Sequence, residues 1–105
     1  MLDKLIEEGK NFENQFTEEY TYGVSYGIKN ELKSDYLKWL AKLGTYAEGN
    51  LEKRYPKMTE IILSMIKKKS IMNDDFDIIS GYLDSVKEQE DTIKENSKFI
   101  WDLNK

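Results

Sequence analysis

Apolar residues at the start of the chain recur at steps of three and four. Leu2, Leu5, Ile6, Gly9, Phe12 and Phe16 share one helical face, which predicts a helix over about 2–18. Asp3 can cap this helix or favour its dipole. The period then changes to two: Tyr20, Tyr22, Val24, Tyr26 and Ile28 alternate with Thr21, Gly23, Ser25 and Gly27. Residues 20–30 therefore read as an extended segment, with Tyr22 and Tyr26 turned inward and the glycines outward. Two glycines and the β-branched Thr21 and Val24 argue against helix here. A lone strand leaves its backbone groups without partners. The segment is then a solvated connection, or it pairs with the same segment of a second molecule.

Helical spacing returns after Ser34, a candidate N-cap followed by Asp35. Tyr36, Trp39, Leu40, Leu43, Tyr46 and Ala47 form an aromatic stripe over about 34–48, and Glu48-Gly49-Asn50 is a stop signal. Pro56 is the single proline and suits the first turn of a third helix, about 56–69. Tyr55, Met58, Ile61, Ile62, Met65 and Ile66 would be its buried face. Lys67, Lys68 and Lys69 complement the dipole at its end, as Asp74, Asp75 and Asp77 do at the start of a fourth helix, about 74–103. In that helix Ile79, Val86, Ile93 and Ile100 form a row at strict sevens. The companion row, Phe76, Leu83, Glu90 and Ser97, becomes polar halfway. The expected fold is all-α: a four-helix bundle-like single domain over 1–105, with one extended segment between helices 1 and 2.

Composition removes much chemistry. The chain has no cysteine and no histidine, so thiolates, Cys-type zinc sites and the usual general base at neutral pH are absent. Asn73, Asp75 and Asp77 match the opening of a calcium loop. Ile78 stands where that loop needs glycine, however, and Asp84 where it needs a bidentate glutamate. Helix capping explains the cluster better than a metal does. No Gly-rich phosphate loop and no spaced carboxylate pair in an apolar setting is present, so the expectation is a non-enzyme without cofactors or metal. No signal peptide or membrane span is evident, which points to a soluble, cytoplasmic chain without membrane contact.

The net charge of −4 is segregated. Residues 1–28 hold two lysines against six carboxylates, 29–69 ten basic residues against five acidic, and 70–105 four lysines against nine carboxylates. Either the basic middle lies against the acidic ends, within one chain or between two, or it binds a polyanion. The overall acidity weighs against nucleic acid. A nucleic-acid site would use Lys53, Arg54, Lys57, Lys67, Lys68 and Lys69, near Tyr46 and Tyr55. The leading candidate surface is the end of helix 4, where Ile93, Phe99, Ile100 and Trp101 outrun the three shorter helices. A protein partner, a following domain or a second copy, most simply a homodimer, would cover it.

Three stretches also carry a family resemblance. Ile6, Glu8 and Gly9 in the first helix, Tyr36 and Trp39 in the second, and Ile79, Leu83 and Val86 in the fourth follow an order of motifs. Over residues 2–90 that order resembles the helical N-terminal region of bacterial abortive-infection and phage-defence proteins. The resemblance implies a helical recognition or assembly module, often followed by an effector domain in such proteins. It carries over no catalytic residues.

Overall fold

The first helix stops early, and the reason lies in Asn14. In the computed structural model, which describes residues 1–19 and 25–103 and the side chains of the last helix as far as Ile93, α1 spans Leu2–Lys10. The expected helix to residue 18 is therefore corrected. Beyond Lys10 the amides of Asn11, Phe12 and Glu13 each donate to the carbonyl three residues back, at 3.0–3.2 Å. Asn14 then takes a φ of 63°, a left-handed conformation that asparagine tolerates better than most residues. The tightened turn keeps Phe12 on the apolar side, so it is buried all the same, and Phe16 packs against the core.

The extended segment has a partner within the chain, contrary to expectation. Strand β1 (Glu18–Glu19) pairs antiparallel with β2 (Tyr26–Gly27), with Glu18 opposite Gly27 and Glu19 opposite Tyr26. Gly27 also bridges Met72, and the Ile28 amide donates to the Ile71 carbonyl at 2.8 Å. The Lys29 amide donates to the Gln15 carbonyl at 2.8 Å. These bonds satisfy backbone groups that a solitary strand would leave open. Gly27 is buried and does not face outward; Ile28 is buried and Tyr26 half-buried. Tyr22, whose inward turn was expected, lies outside the described residues, as do the rest of 20–24. The fold is thus mostly helical with a two-strand sheet, and is not purely α.

A short 3₁₀ turn, Asn30–Leu32, leads into α2, Lys33–Tyr46. Leu32 occupies the N-cap without a side-chain bond, so Ser34 does not cap this helix; the preceding turn supplies the entry instead. Nor does the chain stop at Gly49. It widens into a π-helical turn, Ala47–Leu51, closed by the Glu52 amide on the Ala47 carbonyl at 3.1 Å. The extra residue in that turn brings Leu51 inward beside Ala47 and Val86. Tyr55, at φ −132° and ψ 62°, stands outside the helical region that proline disfavours in the residue before it, and Pro56 opens α3, Pro56–Lys67. Lys69, at φ 55°, turns the chain just after α3, and α4 runs Asn73–Leu103.

The core is built around five rings: Phe12, Phe16, Tyr36, Trp39 and Phe76. Their contacting pairs have centroids 5.0–6.1 Å apart, and the two that Phe12 and Phe16 make with Tyr36 are edge-on, as the ring quadrupole favours. Leu5, Leu40, Leu43, Ile62, Ile79 and Leu83 complete it. One expected core residue is misplaced. Ile61 is 39% exposed, while its neighbour Ile62 and the smaller Thr59 face inward. Among the described residues no helix is long and apolar enough to cross a membrane.

Candidate interaction surfaces

The row of sevens on α4 changes environment along its length. Ile79 and Val86 are 1% exposed, whereas Ile93 is 39% exposed. What covers the first two is plain: the α1–α2 core over Ile79, and the π-helical turn over Val86. Among the described residues, the last attachments of α4 to the body follow at once. The Tyr55 hydroxyl donates to Gln89 Oε1 at 2.9 Å, and Arg54 Nη1 donates to Glu90 Oε1 at 2.7 Å. Lys87 reaches Asp3 at 3.0 Å and Asp91 at 3.1 Å. The hydrogen bonds that the Lys87 ammonium donates to these two carboxylates raise its pKa above the usual lysine value. Beyond Glu90 the helix continues through Leu103, a length of about 20 Å at 1.5 Å per residue. Phe99, Ile100 and Trp101 lie on this helical stretch, but their side chains are outside the described residues.

The basic residues are not brought together. Lys53, Arg54 and Lys57 stand at the start of α3, and Lys67, Lys68 and Lys69 at its end, with about 15 Å of helix between Lys57 and Lys67. Arg54 is engaged by Glu90 and lies over the Tyr55 ring, 5.9 Å from its centre. Cation and aromatic ring are thus spent on holding α4 to the body. In the acidic cluster, the Ser70 hydroxyl donates to Asp75, and Asp74 and Asp75 occupy the first turn of α4. Among the described residues no three His, Cys, Asp or Glu side chains are placed to hold a metal.

A groove runs between α4 and the turn after α1. Phe16 and Phe76 lie along it, with Glu13 and Asn14 on one bank and Asp77, Ser80, Gly81 and Asp84 on the other. No lysine or arginine lines it. Its α4 bank belongs to an exposed acidic face, and α3 presents an exposed face with lysines at both ends. Sequence reasoning passed over both. The available signal was the spacing 0, 4, 7, 11 at which Lys57, Ile61, Ser64 and Lys68 share one side of α3, and Asp77, Gly81, Asp84 and Glu88 one side of α4. Compared with protein-family models, curated proteins and solved structures, the chain matches none of them.

Proposed function

We propose that this chain is a non-enzymatic protein–protein interaction or oligomerisation module whose contact element is the distal part of α4. The observation that carries this reading is the step along one heptad row, from 1% exposure at Ile79 and Val86 to 39% at Ile93. A buried isoleucine gains about 1.5–3 kcal/mol over an exposed one, so the uncovered row is a source of binding free energy. The row continues to Ile100 at the same spacing, the pattern of a helix pairing with another helix. A second α4 is the simplest cover, giving a two-fold homodimer. A cytoplasmic location and the assembly role implied by the resemblance to phage-defence proteins belong to the same proposal. The nucleic-acid reading has less support, since Arg54 is paired and the two lysine clusters stand at opposite ends of α3.

Sedimentation at micromolar concentration tests the proposal. The chain should sediment as a dimer or larger, and Ile93→Asp should shift it towards monomer without loss of helical circular dichroism. A chain of unchanged mass after that substitution would rule out distal α4 as the contact.

A further inference from the structure

Two outward rows of side chains match each other in spacing and oppose each other in charge. On α3 the row is Lys57, Ile61, Ser64 and Lys68; on α4 it is Asp77, Gly81, Asp84 and Glu88. All eight residues are exposed. Among the described residues, none of the five charged side chains takes part in an ion pair or a side-chain hydrogen bond. Asp84 and Glu88 even form an i, i+4 pair of like charge, which disfavours the helix that carries it. Among the described residues, neither row is engaged by an ion pair within its own chain.

We infer that the outward face of α3 docks on the outward face of α4 of a second copy, head to tail. Each row occupies positions 0, 4, 7 and 11 of its helix, about 16 Å from first to last. Laid side by side in the same direction, the rows bring Lys57 opposite Asp77 and Lys68 opposite Glu88. Ser64 then stands opposite Asp84, where its hydroxyl can donate to the carboxylate. Ile61, 39% exposed, comes opposite Gly81, where a Cβ would meet nothing within 4 Å. A branched side chain thus faces a notch. The opposite direction would set Ile61 against the Asp84 carboxylate and waste the notch, so the parallel register is the one that fits. Beside the α4 row the groove lined by Glu13, Asp77 and Asp84, free of lysine and arginine, offers negative charge to the incoming helix. Glu60, one residue before Ile61, lies off the α3 row. One face meets a different face, so the contact is heterologous and builds a ring or an open chain of copies. It uses a surface separate from distal α4 and does not depend on that reading.

The test is made on the full chain carrying Ile93→Asp, which removes the distal α4 contact. In that background the average mass in sedimentation should rise with concentration, and less so at high salt, which screens exposed pairs. Lys57→Glu with Lys68→Glu should weaken association by about tenfold or more, as should Asp77→Lys with Glu88→Lys. All four substitutions together should restore it, and mixing the two double variants should produce a complex that neither forms alone. Helical circular dichroism checks that each variant is folded. An Ile93→Asp chain that stays monomeric at every concentration overturns the contact, as does a charge reversal that fails to weaken association. Failure of both the four-fold variant and the mixture to associate overturns it too. A fall in mass on Ile93→Asp that leaves a concentration- and salt-dependent remainder bears on the distal α4 reading instead, so the two outcomes are separable.

Discussion

Gly9 lies directly against the indole of Trp39, so close that a Cβ at this position would stand 2.8 Å from Cζ2. One turn earlier, Trp39 Nε1 donates to the Leu5 carbonyl at 3.0 Å, a bond buried between α1 and α2. The indole N–H finds an acceptor and the ring finds a helix without a side chain in its way. Together these fix how α1 crosses α2, and Lys42 with Glu8 at 3.5 Å closes the same seam at the surface.

Two helical glycines should therefore respond in opposite directions to alanine. Gly9→Ala would ordinarily gain helix propensity, but its methyl must displace a rigid, buried ring. We expect a net loss of about 1–2 kcal/mol. Gly81 has open space above it, so Gly81→Ala should gain about 0.5–1 kcal/mol through propensity alone. Urea unfolding of both variants checks the pair, and a stabilised Gly9→Ala chain would contradict the contact with Trp39.

Tyr36 governs a response to alkali. Its side chain is fully buried and its hydroxyl has no hydrogen-bond partner among the described residues. Burial, then the charges of Asp75 and Asp77, push its pKa above the ordinary tyrosine value. The unfolded chain ionises this tyrosine near pH ~10, whereas the folded chain resists. Its contribution to stability is thus intact below that pH and is lost as pH rises towards the folded value. Tyr36→Phe removes both the ionisation and an unpaired buried hydroxyl. Stability at neutral pH should be unchanged or about 1 kcal/mol higher, and the alkaline loss of stability smaller. Urea unfolding at neutral pH and at about pH 11 measures both effects.

The seam Phe76, Ile79, Leu83 and Val86 was legible because a heptad row needs only its own spacing to be recognised. The start of α3 was legible because Pro56 permits few other roles. The end of α1 was not: a 3₁₀ turn preserves the inward direction of Phe12 and Phe16, so their spacing imitates a continuing helix. The partner of the extended segment was hidden for another reason. Strands of two residues have no periodicity, and the bridge to Met72 joins residues far apart in sequence. Ile61 and Ile62 are adjacent and equally apolar, so only the packing of α2 on α3 decides which points in. Of the candidate surfaces, Ile93 stood out because its row outlasts the helices that cover it. The outward rows of α3 and α4 did not, since charge at helical spacing is also what any solvated face shows.

The two left-handed residues offer a last test, because each ends a helix in a different way. Asn14 (φ 63°) and Lys69 (φ 55°) both adopt a conformation that a Cβ disfavours by roughly 1–2 kcal/mol. Asparagine offsets part of that cost through local hydrogen bonding, whereas lysine has no such means. Lys69 is exposed and makes no ion pair among the described residues, so replacing it removes no contact. Lys69→Gly should then stabilise by about 0.5–1 kcal/mol, the relief of strain exceeding the extra entropy of an unfolded glycine. Asn14→Gly should be close to neutral, and Asn14→Ala should destabilise by about 1 kcal/mol. Thermal unfolding of the three variants at one pH gives the ranking Lys69→Gly, Asn14→Gly, Asn14→Ala, from most to least stable. The reverse order would mean that these turns do not hold a positive φ, and that α1 continues past Asn14 as its apolar spacing alone suggests.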